Sequence, residues 1–217
     1  VYSQAREESD STVAVIAWFD KRDTMTYWIN EGNWDIKNGD TTMLSGVSTK
    51  VMLTVTDSTK KGYEMEYKFL EFHSDAVSNS IMEDFQNQLV TRLSDKIVGT
   101  TVKFRTDEYG HITKYENMNE IKKQAKELFG SVCEELMRMP VMDSLKSIGI
   151  NLDALLKNIE IDSIVEGYTE ELEMLFDCHG MEYKIGDTYK HKDADAENYA
   201  SDYHLRVDMD QNTNEYD

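Results

Sequence analysis

The alternation of apolar and polar side chains is clearest between residues 48 and 72. A period of two places every second side chain on one face, which is typical of a half-buried β-strand. Asp57 and Gly62 bound a polar segment that suits a turn. The alternating apolar residues are Val51, Leu53 and Val55 before this turn and Tyr63, Met65, Tyr67 and Phe69 after it. We therefore predict a long β-hairpin, with helices covering the face that carries Met65 and Tyr67.

The alternation of this second strand slips by one residue at Phe69 and Leu70, and Phe72 continues the new phase. A β-bulge, which adds one residue to one strand of a pair, would shift the phase in this way. Burial of both faces near the strand end is the other explanation. Both interpretations stay open at the level of sequence.

Further strands are predicted on either side of the hairpin. Segments 13–19 and 24–30 are apolar or alternating, and residues 31–38 are expected to be irregular or an edge segment. Asn38 and Gly39 form a strong hairpin-turn signal, which leads into a long strand from Thr41. Later strand-like segments cover 101–106, 111–115, 181–185 and 203–209.

Helical periodicity begins after residue 73. Val77, Ile81, Phe85 and Leu89 recur every four residues, which predicts an amphipathic helix over 75–98 with Ser74 or Asp75 as its N-cap and Gly99 at its end. The other helical patterns cover 117–139, which Pro140 should end, the short pieces 143–148 and 152–156, and 162–178, which Gly180 should end.

Together these segments predict an α+β fold. We expect a twisted antiparallel β-sheet of long meander strands with three to four helices packed on one face. Residues 1–11 are expected to be a disordered leader, and 12–217 a single α+β domain. A small helical subdomain over 117–180 is the alternative.

An internal β-meander repeat is a further interpretation. Asp57 begins a turn six residues before Tyr63, and Asp210 does the same before Tyr216. The second copy would start at residue 181 and be incomplete at 217. Chance recurrence of strand-and-turn patterns is the rival explanation.

The charge of the chain excludes some partners. Lys and Arg number 23 and Asp and Glu 42, which gives a formal net charge of −19. Nucleic acids and anionic lipid surfaces attract basic proteins, so neither is expected as a partner. No apolar run is long enough for a transmembrane helix. The twelve Met residues suit either core filling or an irregular apolar cavity.

The first residues bear on localisation. Segment 1–5, VYSQA, looks like the end of a signal-peptide cleavage site, and a polar stretch follows it. We therefore expect an exported protein of the periplasm or the outer-membrane surface, with a cytoplasmic origin as the alternative. Cys133 and Cys178 would either form a disulfide in an oxidising compartment or remain free thiols.

Candidate chemistry is sparse. Asp208, Asp210 and Asn212 have the alternating oxygen ligands of a calcium loop, but Thr213 occupies the position where such a loop needs glycine. A polar turn is the preferred interpretation. The sequence contains no phosphate-binding glycine loop, nucleophile elbow or zinc spacing. We therefore predict no catalytic residues, no metal and no cofactor.

Three short motifs carry a resemblance: VTDST-x-x-GYE at 55–64, D-E-x-G at 107–110 and GDTY at 186–189. With them the chain resembles uncharacterised exported proteins or lipoproteins of Gram-negative bacteria. More distantly, a curved sheet with helices on one face is similar to the half-barrel lipoprotein-carrier fold. That resemblance implies a hydrophobic ligand cavity. The lipid-attachment cysteine of a lipoprotein is missing near the start of this sequence.

The expected function follows from these points. We expect a non-enzymatic protein that holds a hydrophobic small molecule or lipid, apolar or amphiphilic, between sheet and helices. The residues expected to line the cavity are Met65, Tyr67, Phe85, Phe129 and Met137. The alternative is a structural or protein-interaction module of the cell envelope, with an envelope protein as its partner.

Overall fold

The computed structural model describes residues 3–9, 12–76, 80–150, 161–192, 202–206, 209–210 and 215–216. Within them the fold is α+β, with helices on one side of a five-stranded antiparallel sheet in the order β3-β4-β5-β6-β7. These strands are β3 Thr24–Lys37, β4 Asp40–Thr59, β5 Gly62–Ala76, β6 Thr101–Thr106 and β7 Ile112–Tyr115. The helices are α1 Ile81–Ile97, α2 Met118–Leu136, α3 Pro140–Ser147 and α4 Ile161–Phe176. The predicted fold class is confirmed.

Strands β3 and β4 form a hairpin at the predicted Asn38–Gly39 turn. Both residues have positive φ, 55° and 88°, and Lys37 pairs with Asp40 across the turn. A tight two-residue turn of this kind needs positive φ at both positions, which Asn and Gly tolerate. Of the two expectations for residues 31–38, an irregular or an edge segment, the edge segment is confirmed, because these residues belong to β3 at the edge of the sheet. Pairing with β4 continues along all of β3, so main-chain hydrogen bonds hold a segment whose side chains do not alternate.

The phase slip in β5 is a β-bulge. Val51 pairs with Phe69 and Lys50 pairs with Glu71, so Leu70 is the extra residue. The bulge keeps both Phe69 and Phe72 on the face that the helices cover, because Phe72 pairs with the buried Thr49.

The sheet–helix core lies between this face and helices α2 and α4. Met65 is 1% exposed and Tyr67 0%, so the prediction that helices cover this face is confirmed. Burial of each large apolar side chain contributes about 1.5–3 kcal/mol to folding. The core residues from the sheet are Met25, Val51, Leu53, Val55, Met65, Tyr67, Phe69, Val102 and Phe104, and those from the helices are Ile97, Ile121, Ala125, Val165, Leu172 and Phe176.

A second cluster of buried residues, the helix cluster, lies among α1, α2 and α3. Its members are Phe85, Leu89, Val132, Leu136, Met142 and Leu145. Since α2 contributes Ile121 and Ala125 to the sheet–helix core as well, it packs in both clusters.

Helix α1 starts later than predicted. The side chain of Ser80 caps it by accepting a 3.1 Å hydrogen bond from the Glu83 amide. The predicted caps, Ser74 and Asp75, instead pair with β4 at the end of β5. Sheet pairing therefore overrides a local cap signal. Gly99, at φ 92°, follows the helix as predicted.

The later helices also adjust the prediction. Asn117 precedes α2, but its side chain contacts β6: Oδ1 accepts from the Lys103 amide at 2.8 Å and Nδ2 donates to the Thr101 carbonyl at 2.9 Å. Pro140 begins α3, because its missing N–H is not needed in a first turn. The predicted piece 152–156 lies outside the described residues.

A three-stranded sheet joins distant parts of the chain. Its order is β1-β2-β8, with β1 Ser3–Ser9, β2 Thr12–Ala17 and β8 Glu182–Lys184. Residues 3–9 are thus a strand where the polar sequence predicted a disordered leader. They are held by main-chain pairing with β2, which side-chain patterns do not reveal.

The last described strands form two hairpins: β9 Thr188–Lys192 with β10 Asp202–Arg206, and β11 Met209–Asp210 with β12 Glu215–Tyr216. Tyr216 pairs with Met209, whereas Tyr63 pairs with Ser58. The two turns compared in the sequence therefore differ in register. The β-meander repeat stays a prediction.

Candidate functional site

A cleft of about 230 Å³ lies between the sheet, α1 and α4. The sheet contributes Thr49 of β4 and the two aromatic residues Phe69 and Phe72, which flank the bulge in β5. The bulge thus supplies two neighbouring aromatic walls from one strand.

The helices supply the other walls through their own periodicity. Helix α1 contributes Val90, Leu93, Ser94 and Ile97, which share one helix face at spacings of three and four. Helix α4 contributes Gly167, Tyr168 and Glu171. A Cβ atom added to Gly167 would meet no heavy atom within 4 Å, so this glycine leaves open space beside the cleft.

One charged side chain, Glu171, lines the cleft. Its Oε1 accepts a hydrogen bond from the Thr49 hydroxyl at 3.5 Å, and its Oε2 accepts one from the Tyr67 hydroxyl at 3.3 Å. Burial raises the pKa of the Glu171 carboxyl, and the charge of nearby Glu31 raises it further. The hydrogen bonds from Tyr67 and Thr49 oppose this rise because they favour the carboxylate.

Tyr67 stays a neutral donor. Burial, followed by the charge of Glu171 and the hydrogen bond to it, raises the pKa of the Tyr67 hydroxyl well above its usual range. A second pair of the same type joins Tyr115 of β7 to Glu173 of α4: the Tyr115 hydroxyl donates to Glu173 Oε1 at 2.7 Å. Glu173 is not among the residues that line the cleft.

The five residues expected to line a cavity are not brought together. Met65 and Tyr67 lie in the sheet–helix core, where they are fully packed. Phe85 and Phe129 pack in the helix cluster, and Met137, just after α2, is 41% exposed. None of the five lines the cleft, although Tyr67 reaches it through its hydrogen bond to Glu171.

The lining residues were missed because strand alternation identifies buried positions and not gaps between elements. One signal was present. Glu171 stands three residues after Tyr168 and four before Leu175, on the apolar stripe of the predicted helix. A carboxylate within such a stripe marks a position where a polar group faces the interior.

The candidate calcium ligands lie mostly outside the described residues. Asp208 and Asn212 are among those not described, and for Asp210 only the pairing of its backbone with Glu215 is defined. In the part of the chain that the structure describes, no group of three or more His, Cys, Asp or Glu side chains is arranged to hold a metal ion.

The two cysteines and the buried histidine are the remaining residues with candidate chemistry. Cys133 and Cys178 are free thiols, and burial raises the pKa of Cys133. His179 is buried beside the ring of Phe176, with ring centroids 5.1 Å apart, and its Nδ1 lies 3.3 Å from the Phe176 carbonyl oxygen. Burial lowers the pKa of this imidazole.

The opposite face of the sheet carries an exposed aromatic group. Trp28 stacks on His73 with ring centroids 5.8 Å apart, and Lys50 Nζ lies 5.3 Å from the Trp28 ring centroid. Lys50 also pairs with Glu71 at 2.6 Å. The side chains around the Trp28 ring, those of Lys50, Glu71 and His73, are polar or charged.

Comparisons with protein-family models, curated proteins and solved structures yield no match for this chain. None of the helices among the described residues is long and apolar enough to span a membrane.

Proposed function

We propose that this protein binds an apolar or amphiphilic ligand in the cleft between the sheet, α1 and α4, without catalysing a reaction. The observation that carries the proposal is the cleft itself, which opens beside a core that is otherwise closely packed. Its walls combine aromatic rings from β5 with aliphatic side chains from α1. This composition is typical of small-molecule sites.

The size of the cleft limits the ligand. Its volume of about 230 Å³ exceeds the roughly 150 Å³ of an apolar cavity that holds benzene. It lies below the range of about 300–1,000 Å³ that is usual for drug-sized ligands. A short alkyl chain or a single ring fits these limits, with any larger part of the ligand outside the cleft.

A binding role without catalysis agrees with the chemistry of the lining. Glu171 and Tyr168 are its titratable side chains among the described residues. Burial raises the pKa of the Tyr168 hydroxyl and keeps it protonated. We propose binding because Glu171 is the one carboxyl among the described lining residues, and no second carboxyl, imidazole or thiol among them lines the cleft with it to complete an acid–base or nucleophilic pair. As part of the same proposal, the protein acts in the periplasm or at the outer-membrane surface, in line with the resemblance of the motifs at 55–64, 107–110 and 186–189 to those of exported proteins.

The test is a titration with N-phenyl-1-naphthylamine, an uncharged fluorophore that brightens in apolar sites. We expect its phenyl ring to enter the cleft, with the larger naphthyl group at the mouth of the cleft. We expect saturable binding to the native protein and a loss of about tenfold or more in Gly167→Leu, because the new side chain occupies the cleft. The matched control is Gly130→Leu on α2, where an added Cβ also meets open space but does not line the cleft. Equal binding by both variants, or no saturable binding by the native protein, would contradict the proposal.

The exposed face of β3 supports a second candidate, a protein-interaction module. Strand β3 is an edge strand of the five-stranded sheet, and Trp34 is 57% and Ile36 72% exposed. Exposed apolar side chains beside a sheet edge are a common docking surface. Sedimentation at increasing concentration tests self-association. Association that disappears in Trp34→Ser/Ile36→Ser supports this candidate, and a monomer at every concentration counts against self-association through β3.

A further inference from the structure

We propose that the ligand of the cleft carries a protonated amine, so that Glu171 binds the ammonium group of an alkylamine whose chain lies against α1. This inference rests on the proposed function and adds the chemical class of the headgroup. It starts from the position of Glu171, the charged residue among those that line an otherwise uncharged cleft.

The charges around Glu171 favour a cation from the ligand. Glu31 on β3 and Glu170 on α4 both act on this carboxyl, and both are acidic. The side chains that face it from the other elements are the hydroxyls of Thr49 and Tyr67. Among the described residues none forms a salt bridge with Glu171, and this contrasts with Glu64, Glu66 and Glu71, which each pair with Lys or Arg.

The basic residues of α1 pair with a carboxylate on α2 and not with Glu171. Lys96 Nζ lies 2.8 Å from Glu135, and Arg92 lies 3.5 Å from the same carboxylate on α2. The residues that α1 turns toward the cleft carry no charge. The cleft therefore presents a carboxylate without a basic partner of its own.

The hydrogen-bonding capacity of Glu171 is only partly used. A carboxylate has about four acceptor positions, and Thr49 and Tyr67 occupy one on each oxygen. An ammonium group brings three donors and forms charge-assisted hydrogen bonds, which are stronger than neutral ones. The rings of Phe69, Phe72 and Tyr168 line the same space and can also attract a cation.

The same arrangement ranks other amphiphiles of equal chain length. An alcohol keeps the apolar contacts with Val90 and Leu93 but loses the charge pairing. A fatty acid would place a second carboxylate beside Glu171 and Glu31, where like charges repel. The expected order of affinity is therefore amine, then alcohol, then carboxylate.

Binding should also depend on pH. Burial raises the pKa of Glu171 in the free protein, and an ammonium neighbour lowers it again. Amine binding is then linked to the release of a proton, and the affinity for the amine falls as the pH falls through the pKa of the free Glu171 carboxyl. The affinity for an alcohol lacks this linkage.

The experiment is displacement of bound N-phenyl-1-naphthylamine by octylamine, 1-octanol and octanoate at pH 7. We expect octylamine to bind about tenfold or more tightly than 1-octanol, as a charge-assisted hydrogen bond implies. Glu171→Gln should reduce octylamine affinity about tenfold and leave 1-octanol within about twofold, because it removes only the charge. Thermal unfolding of each variant checks that it is folded.

Glu173→Gln is the matched control. It removes an equal charge from the same helix and, like Glu171→Gln, leaves an amide oxygen to accept the tyrosine hydrogen bond, but outside the cleft. Octylamine affinity within about twofold of the native value would show that the preference is local and not an effect of the net charge of −19.

The outcomes separate this inference from the proposed function. Equal affinities for octylamine and 1-octanol in the native protein, or an equal loss in both carboxylate variants, would overturn the amine assignment while ligand binding stands. Failure of the fluorophore and of all three amphiphiles to bind would overturn the proposed function. If Glu171→Gln does not fold, the order in which the native protein binds the three ligands still tests the amine assignment.

Discussion

The sheet–helix core and the helix cluster use similar apolar residues, yet the spaces beside them differ. The cleft beside the sheet–helix core has mostly apolar walls, whereas the groove between α1 and α3 beside the helix cluster is also lined by Ser80, Asp84, Gln88 and Ser144. In the helix cluster three helices close around Phe85 and Leu89. At the cleft, α1 and α4 face a bulged part of β5, and Gly167 adds no side chain to fill the gap. Helix α1 takes part in both regions. The comparison teaches that similar apolar cores can border spaces of different character, because the bulge and Gly167 leave apolar walls open at the cleft while polar side chains line the groove between α1 and α3.

The largest expected effect is a loss of stability when a fully buried leucine of the helix cluster is truncated to alanine. Leu145→Ala in the helix cluster should lower the free energy of unfolding by about 2–5 kcal/mol, because Leu145 is fully buried and leaves a cavity. Leu93→Ala should cost about 1–2 kcal/mol less, because Leu93, although it packs against the helix cluster, is half-buried and already borders the open space of the cleft. Urea unfolding measures both changes. Equal losses would mean that the space around Leu93 is as closely packed as the helix cluster.

Sequence patterns predicted which face of each strand or helix is buried, but little about how the strands and helices pack against one another. The phase slip at Leu70 revealed a bulge because side-chain direction is a local property of the strand. The start of α1 was misplaced because Ser74 and Asp75 are acceptable caps locally, while pairing with β4 is a tertiary effect. The cleft could not be predicted for the same reason: its width depends on how α1 and α4 sit over β5.

The pH dependence of stability provides a second comparison of the two regions, because the sheet–helix side contains the buried, titratable His179. Burial, the largest cause, lowers the pKa of His179, while its contact with the Phe176 carbonyl opposes this change. The unfolded chain takes up a proton near pH 6.5 and the folded protein does not, so stability should fall as the pH falls below about 6.5.

Unfolding in urea at pH 7 and pH 5.5 measures this dependence for the native protein and for His179→Gln. The variant should lose less stability on acidification, because glutamine does not titrate in this range. The same fall in both proteins would assign the pH dependence to other groups. Leu145→Ala serves as a control, since a change in the helix cluster should leave the pH dependence unaltered.

The two pairs that join tyrosines of β5 and β7 to glutamates of α4 predict a smaller effect. Tyr67→Phe should cost about 1 kcal/mol, the usual contribution of one hydrogen bond, and should raise the pKa of Glu171 because a donor to its carboxylate is lost. Tyr115→Phe should have a similar cost without affecting ligand binding. Thermal unfolding and the octylamine titration together separate the two variants. A weaker effect of Tyr67→Phe than of Tyr115→Phe on octylamine binding would contradict the assigned cleft.

The smallest effect is expected on the face of the sheet that the helices leave uncovered. Lys50→Gln removes the charge beside the Trp28 ring and the pair with Glu71, and should cost about 0.5–1 kcal/mol or less, as is usual for exposed groups. High salt should weaken the difference between native protein and variant. A loss as large as that of Leu145→Ala would show that this face is covered in solution.

The three-stranded sheet β1-β2-β8 gives the chain an order of assembly. Val13 of β2 pairs with Tyr183 of β8, so this pairing can form only after a strand that is synthesised much later. The meander β3-β4-β5 needs only neighbours joined by tight turns and can form early. Closing so long a loop is slow, because its entropy must be lost before the pairing compensates for it. We therefore expect the β2–β8 contact to form late in folding.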